Sequence, residues 1–150
     1  MDEHRIALRW LRDGQAFERG NYRPAHELTF QGGQVLRASS AASYGGDPAL
    51  ADPEQVLVAA LSSCHMLTFL AVAANRKLVV DSYEDDANAV LGKDAEGRTA
   101  VTQMTLRPRV RFAGDAPPSR EDIEALHARA HKACFVASSV RSAVAIEPRD

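Results

Sequence analysis

Asp52-Pro-Glu-Gln-Val-Leu-Val-Ala-Ala-Leu-Ser-Ser-Cys-His-Met-Leu-Thr-Phe-Leu-Ala-Val-Ala-Ala74 opens on a helix-start signal and then carries no Lys, Arg, Asp or Glu from Val56 to Ala74. Asp52 suits the N-cap, Pro53 the first helical position, and Gln55 stands where a capping box needs it. The stretch therefore predicts a long helix, apolar on nearly every side. Such a helix must be enclosed by protein or by lipid. Ser62, Ser63, His65 and Thr68 crowd its middle, which argues for protein and against a membrane span. In a chain of 150 residues, enclosure on all sides points to a dimer that shares its core.

The flanking sequence supplies strands. Ile6, Leu8 and Trp10 alternate with Arg5 and Arg9, the period of a strand over residues 4–11. Two further strands, 26–30 and 34–38, are separated by the turn signal Gln31-Gly-Gly33. A loop rich in Ser and Gly follows over 39–50. Beyond the helix, an alternating segment at 81–91 and the even positions Thr102, Met104, Leu106, Val110 and Phe112 flank the turn Lys93-Asp-Ala-Glu-Gly97, which predicts a long antiparallel hairpin. Pro108 falls inside it and requires an edge or a bulge. Ser119-Arg-Glu-Asp122 caps a second helix with Ile123, Leu126 and Ala130 on one face, and Cys134 lies at or just past its end. Residues 142–147 alternate as a last strand. With no repeat and no linker, this order predicts one α+β domain over 1–150 with a largely antiparallel sheet.

Composition narrows the function. Hydrophobic residues make up 45% and charged residues 25% of the chain, which suits a folded domain rather than a disordered one. A formal net charge of -2 with no run of Lys or Arg argues against nucleic acid as a partner. The first ten residues lack the basic start and apolar core of a secretory signal, so a cytoplasmic location is expected. In that reducing compartment the two cysteines, Cys64 and Cys134, are catalytic, redox-sensing, metal-binding or simply inert core thiols. A buried thiol has a raised pKa, so a reactive Cys64 needs a cation from elsewhere, and Arg23 and Arg37 are the candidates.

Other chemistries are weaker. Cys64-His65 and His131 with Cys134 offer thiols and imidazoles, but adjacent residues on a helix point about 100° apart and rarely share an ion. No metal site is expected. Ser62-Ser-Cys-His65 lacks the glycine-flanked elbow of a hydrolase serine, and its serines are expected to bond helix carbonyls. His65, His127 and His131 are either general bases or ordinary hydrogen-bonded helix residues. Leu61, Met66, Leu67 and Phe69 form either a pocket for an alkyl group or part of the core.

The stretch from Asp52 through Cys64-His65, taken with Ala130-His-Lys-Ala-Cys134-Phe-Val-Ala-Ser-Ser-Val140, resembles the OsmC/Ohr family, named for osmotically inducible protein C and organic hydroperoxide resistance protein, and looks closer to its OsmC-like branch. The resemblance implies a thiol-dependent peroxidase that needs no cofactor. It implies an intertwined homodimer with sheets wrapped around central cysteine-bearing helices. Organic hydroperoxides would be the substrate and a dithiol, of the lipoyl type in some members, the reductant. By matched position Cys64 is the attacking cysteine, Cys134 the resolving cysteine, and Glu54 the carboxylate partner of a catalytic arginine. Arg23 fits that arginine by its distance ahead of the Gly32-Gly33 turn, although the OsmC branch would put it where this chain has Tyr44 and Gly45. Tyr44 is a candidate pocket wall. On an unbroken helix, ten residues hold Glu54 about 15 Å from Cys64, so an arginine would have to bridge them. The alternative function is a redox sensor or a small-molecule binding protein on the same fold.

Overall fold

The computed structural model describes residues 2–150 and is an α+β protein with predominantly antiparallel sheets. The chain divides into two units, Met1–Val56 and Leu57–Asp150, with the boundary in the first turn of the long helix.

The N-terminal unit is a three-stranded antiparallel sheet of β1 (Ile6–Arg9), β2 (His26–Phe30) and β3 (Val35–Ala38). Ile6 faces Phe30, and Leu8 faces Leu28, which in turn faces Leu36, so one face of the sheet is apolar. A short 3-10 turn, Ala42–Tyr44, follows. Gly46 fixes the loop beyond it: a Cβ there would lie 1.6 Å from the Ser40 carbonyl oxygen, so only glycine allows the approach. Ser39 is fully buried, and its Oγ accepts the Asp47 N–H at 3.1 Å.

Helix α1 spans Pro53–Asn75 without a break. The expected capping box is present, with Gln55 N–H donating to Asp52 Oδ1 at 2.7 Å and Asp52 N–H to Gln55 Oε1 at 3.1 Å. By length and composition this helix could cross a membrane, an 18-residue window within it having a mean hydropathy of 2.0. It buries one stripe, formed by Val58, Leu61, His65, Phe69 and Ala73 at helical spacing.

The C-terminal unit receives that stripe. The hairpin strands are β4 (Val80–Asp85), β5 (Asn88–Lys93), β6 (Thr99–Leu106) and β7 (Pro108–Phe112). Asn88 pairs with Thr105 and Asp85 with Pro108 in the same register, so the ladder is the expected hairpin interrupted at two points. Pro108 opens β7, where its missing N–H leaves no ladder donor unpaired. Helix α2 (Arg120–Ala133) has its capping box between Ser119 and Asp122, and a short α3 (Phe135–Ser139) follows. The last strand, β8 (Ala143–Ile146), pairs parallel with β6, an exception to the antiparallel pattern. Two cores result. Val58, Leu61, Met104, Leu106 and Cys134 form one, and Phe69, Ala73, Leu126 and Ala130 the other. Each large side chain buried there contributes about 1.5–3 kcal/mol.

Candidate functional site

Cys64 sits midway along α1 against the first core, and Cys134 lies inside that core with no exposed surface. Seventy positions separate them in sequence, yet the fold hydrogen-bonds their side chains, and both are free thiols. Cys134 is locked where it stands. It ends α2, its N–H reaching His131 O at 3.4 Å, and it starts α3, its Sγ accepting the Ala137 N–H at 3.4 Å. The hinge between two helices is thus the position that presents the second thiol to the first.

The two thiols are driven in opposite directions. Burial pushes Cys64 up, but the Cys134 thiol and the backbone N–H groups of Val136 and Phe135 outweigh it, and the net effect lowers Cys64 below the usual thiol value. Cys134 is raised, first by burial, then by its hydrogen bond to Cys64 and the negative charge there. Cys64 is therefore the thiol that ionises first and Cys134 the one that keeps its proton longer. Thr68 steadies the turn beneath, with Oγ1 donating to the Cys64 carbonyl oxygen at 2.8 Å.

The expected cation is not among the groups that lower Cys64; they are backbone amides and a thiol from the α2–α3 junction, with the Thr68 hydroxyl. Sequence reasoning missed the amides because an amide carries no residue signature. Arg23 and Arg37 belong to the N-terminal unit, where both line a cleft of about 460 Å³ with Arg9, His26 and Glu27. The Arg23 carbonyl accepts the Trp10 indole N–H at 2.8 Å. Glu54 lies in the first turn of α1, and the unbroken helix leaves about 15 Å of axis between it and Cys64. Tyr44 is 64% exposed on its 3-10 turn.

The remaining candidates sort out by what they touch. Leu61 and Phe69 are fully buried in the two separate cores, and Leu67 is 59% exposed. Ser62 does not bond a helix carbonyl as expected: its Oγ donates to Asp85 Oδ2 at 2.5 Å, because the end of β4 presents a carboxylate to this part of α1. The other oxygen of Asp85 accepts the Arg107 N–H at 2.6 Å. His65 and His127 are buried against each other, with Nε2 of the first 3.0 Å from Nδ1 of the second. Among the described residues no group of three or more His, Cys, Asp or Glu is placed to hold a metal ion.

Similarity to known proteins adds to this geometry. Residues 45–149 match the OsmC-like protein family. An OsmC-like protein of unknown function from Vibrio cholerae is similar over 99% of this chain and 100% of its own, with 42% identity and a TM-score of 0.94. The organic hydroperoxide resistance protein OhrB of Bacillus subtilis shares the fold at 20% identity and a TM-score of 0.71, covering 99% of this chain and 98% of its own. An organic hydroperoxide resistance protein from Legionella pneumophila does so at 17% identity and a TM-score of 0.70, covering 99% and 96%. No functionally curated protein matches.

Proposed function

The chain belongs to the OsmC-like family, and from that premise we propose that it is a thiol-dependent peroxidase reducing organic hydroperoxides through Cys64, with Cys134 resolving the oxidised product. The observation that carries this reading is the hydrogen-bonded pair of free thiols, one lowered and one raised. A two-step thiol reaction asks for that asymmetry. The Cys64 thiolate attacks the terminal peroxide oxygen, an S–O bond forms as O–O breaks, and the alkoxide takes a proton and leaves as an alcohol. Cys64 becomes a neutral sulfenic acid. The negative charge that raised Cys134 is then gone, so its thiol ionises more readily when it is needed to attack. The S–S bond forms, water leaves, and a dithiol reductant, of the lipoyl type by family resemblance, returns two electrons by thiol exchange.

In this reading Arg23, with Arg37 as its rival, orients the peroxide, and Glu54 holds the guanidinium by a bidentate pair. Homodimerisation belongs to the same proposal. The α1 face opposite the buried stripe exposes Ala60, Ser63, Leu67, Ala71 and Ala74, a row without charge that a second copy would cover. A cytoplasmic location would keep the resting thiols reduced.

The test is peroxide consumption by purified protein with a dithiol, comparing cumene hydroperoxide with hydrogen peroxide. Turnover should favour the organic substrate and vanish in Cys64→Ser. Cys134→Ser should consume one equivalent of peroxide, stop at the Cys64 sulfenic acid and, with a second equivalent of peroxide as oxidant, accumulate sulfinic acid, seen by mass spectrometry as a gain of two oxygens. Turnover unchanged in Cys64→Ser sinks the proposal, and stoichiometric oxidation without cycling would favour a sensor.

A further inference from the structure

A cleft of about 640 Å³ opens on the C-terminal unit where β5, β6 and the approach to β8 meet. Leu57, Val101 and Val140 line it, and the same three side chains pack against the first core, so the apolar wall of the cleft is the outer layer of that core. All three are only half-buried, which leaves aliphatic surface in contact with water. Two cations flank this wall. Lys93 ends β5 opposite Thr99 of β6, while Arg141 lies two residues before Ala143, which pairs with Gln103 on the other side of β6. Strands β5 and β8 are two spacings apart in the sheet, roughly 10 Å, a distance that two long side chains can close on one small group.

The charges around the cleft are unequally matched. Asp94 and Glu96 also line it, but Arg98 holds both, pairing with Asp94 at 2.8 Å and with Glu96. The Lys93 ammonium donates to the Thr99 hydroxyl at 2.8 Å, an uncharged partner. Arg141 is exposed, and among the described residues neither it nor Lys93 forms an ion pair. The two cations beside the apolar wall are thus the two without a carboxylate. We propose that this cleft binds a monocarboxylic acid with an aliphatic chain, its carboxylate between Arg141 and Lys93 and its chain against Leu57, Val101 and Val140.

The chemistry selects that class. A guanidinium presents parallel N–H donors that match the two oxygens of a carboxylate, and an ammonium adds a point charge beside it. Phosphate or a dicarboxylate would answer the cations but leave the aliphatic wall wet. An alcohol or a hydrocarbon would cover the wall but bring no charge to the guanidinium. A metal ion would meet Lys93 and Arg141 with like charge. Both cations are exposed, so a ligand reaches them without any movement of the core. Clefts of this size with apolar lining and a few polar groups that fix orientation are typical small-molecule sites. None of these groups belongs to the thiol pair, so the site holds whether or not Cys64 turns over peroxide.

Hexanoate is the probe, titrated into the whole protein with the methyl groups of Leu57, Val101 and Val140 followed by carbon-13 NMR. A saturable shift of all three is expected. Hexanoate should bind about tenfold tighter than 1-hexanol, because only the acid forms charged hydrogen bonds, and octanoate about tenfold tighter than hexanoate, because two more methylenes leave water. Arg141→Gln should weaken hexanoate binding by about tenfold and leave 1-hexanol unchanged. Ala143→Trp changes an exposed strand position on the cleft wall that belongs to neither core, fills the space, and should abolish binding of both. The proposal is overturned if hexanoate gives no saturable shift of these methyls, if acid and alcohol bind equally, or if Arg141→Gln or Ala143→Trp binds as the wild type does. Displacement of hexanoate by equimolar inorganic phosphate would overturn it in favour of a simple anion site.

Discussion

Cys134 donates its thiol hydrogen toward Cys64 while its own sulfur accepts the Ala137 N–H in the first turn of α3, so one side chain both lowers the neighbouring thiol and caps a helix. The cap holds α3 in the position from which Phe135 and Val136 direct their N–H groups at Cys64. Activation therefore depends on backbone that the second cysteine organises.

Cys134→Ala should consequently raise the Cys64 pKa. Both the thiol donor and the cap that aims the Phe135 and Val136 amides are lost, so the shift is upward, toward the ordinary thiol value. Cys134→Ser keeps both a donor and a cap and should shift it less. The rate of alkylation of Cys64 against pH measures both, and equal behaviour of the two variants would contradict this role for Cys134.

The histidine pair should make stability fall in mild acid. Burial first, and then the neighbouring imidazole charges, lower both His65 and His127 from 6.5 to about 4. Unfolded chains bind these protons below about pH 6.5 while the folded protein refuses them until about pH 4, so the stability present above pH 6.5 is lost across that window and levels off below it. The loss is roughly 3 kcal/mol per imidazole. His127→Phe should flatten the slope by about half, read from urea midpoints between about pH 7 and pH 4.5.

Asp85 joins α1 to the interruption in the hairpin, accepting from Ser62 and from the Arg107 N–H. Asp85→Ala leaves that N–H unpaired and should cost about 1–3 kcal/mol, whereas Ser62→Ala should cost about 1 kcal/mol. Thermal unfolding compares them. A larger loss from Ser62→Ala would show that the serine, not the carboxylate, secures the junction.

The uncharged outer row of α1 should carry self-association. Leu67, 59% exposed, is its largest member, and Leu67→Glu should convert a dimer to monomer or leave it insoluble. Light scattering after size-exclusion chromatography reads the state. A wild-type monomer would remove homodimerisation from the proposed function.

Much of the fold was legible because its signals are local. Asp52 and Gln55, like Ser119 and Asp122, form their boxes within one turn, and the two hairpins follow from alternation on either side of glycine-bearing turns. The parallel pairing of β8 with β6 was not legible, since alternation marks a strand but not its partner. The stripe at Leu61 and Phe69 was visible as apolar, while its division between two cores was not.

Sequence by itself determined where the helices begin, which segments are strands, and that two thiols stand in helical surroundings, because capping, side-chain period and turn sterics act over a few residues. Tertiary structure alone decided what each thiol meets. The partners of Cys64 come from about 70 residues away, those of His65 from 62 residues away, and the donors are partly backbone amides that every residue but proline possesses. Only the packing of α1 against α2 and the hairpin selects which of them arrive, and so which thiol is lowered and which is raised.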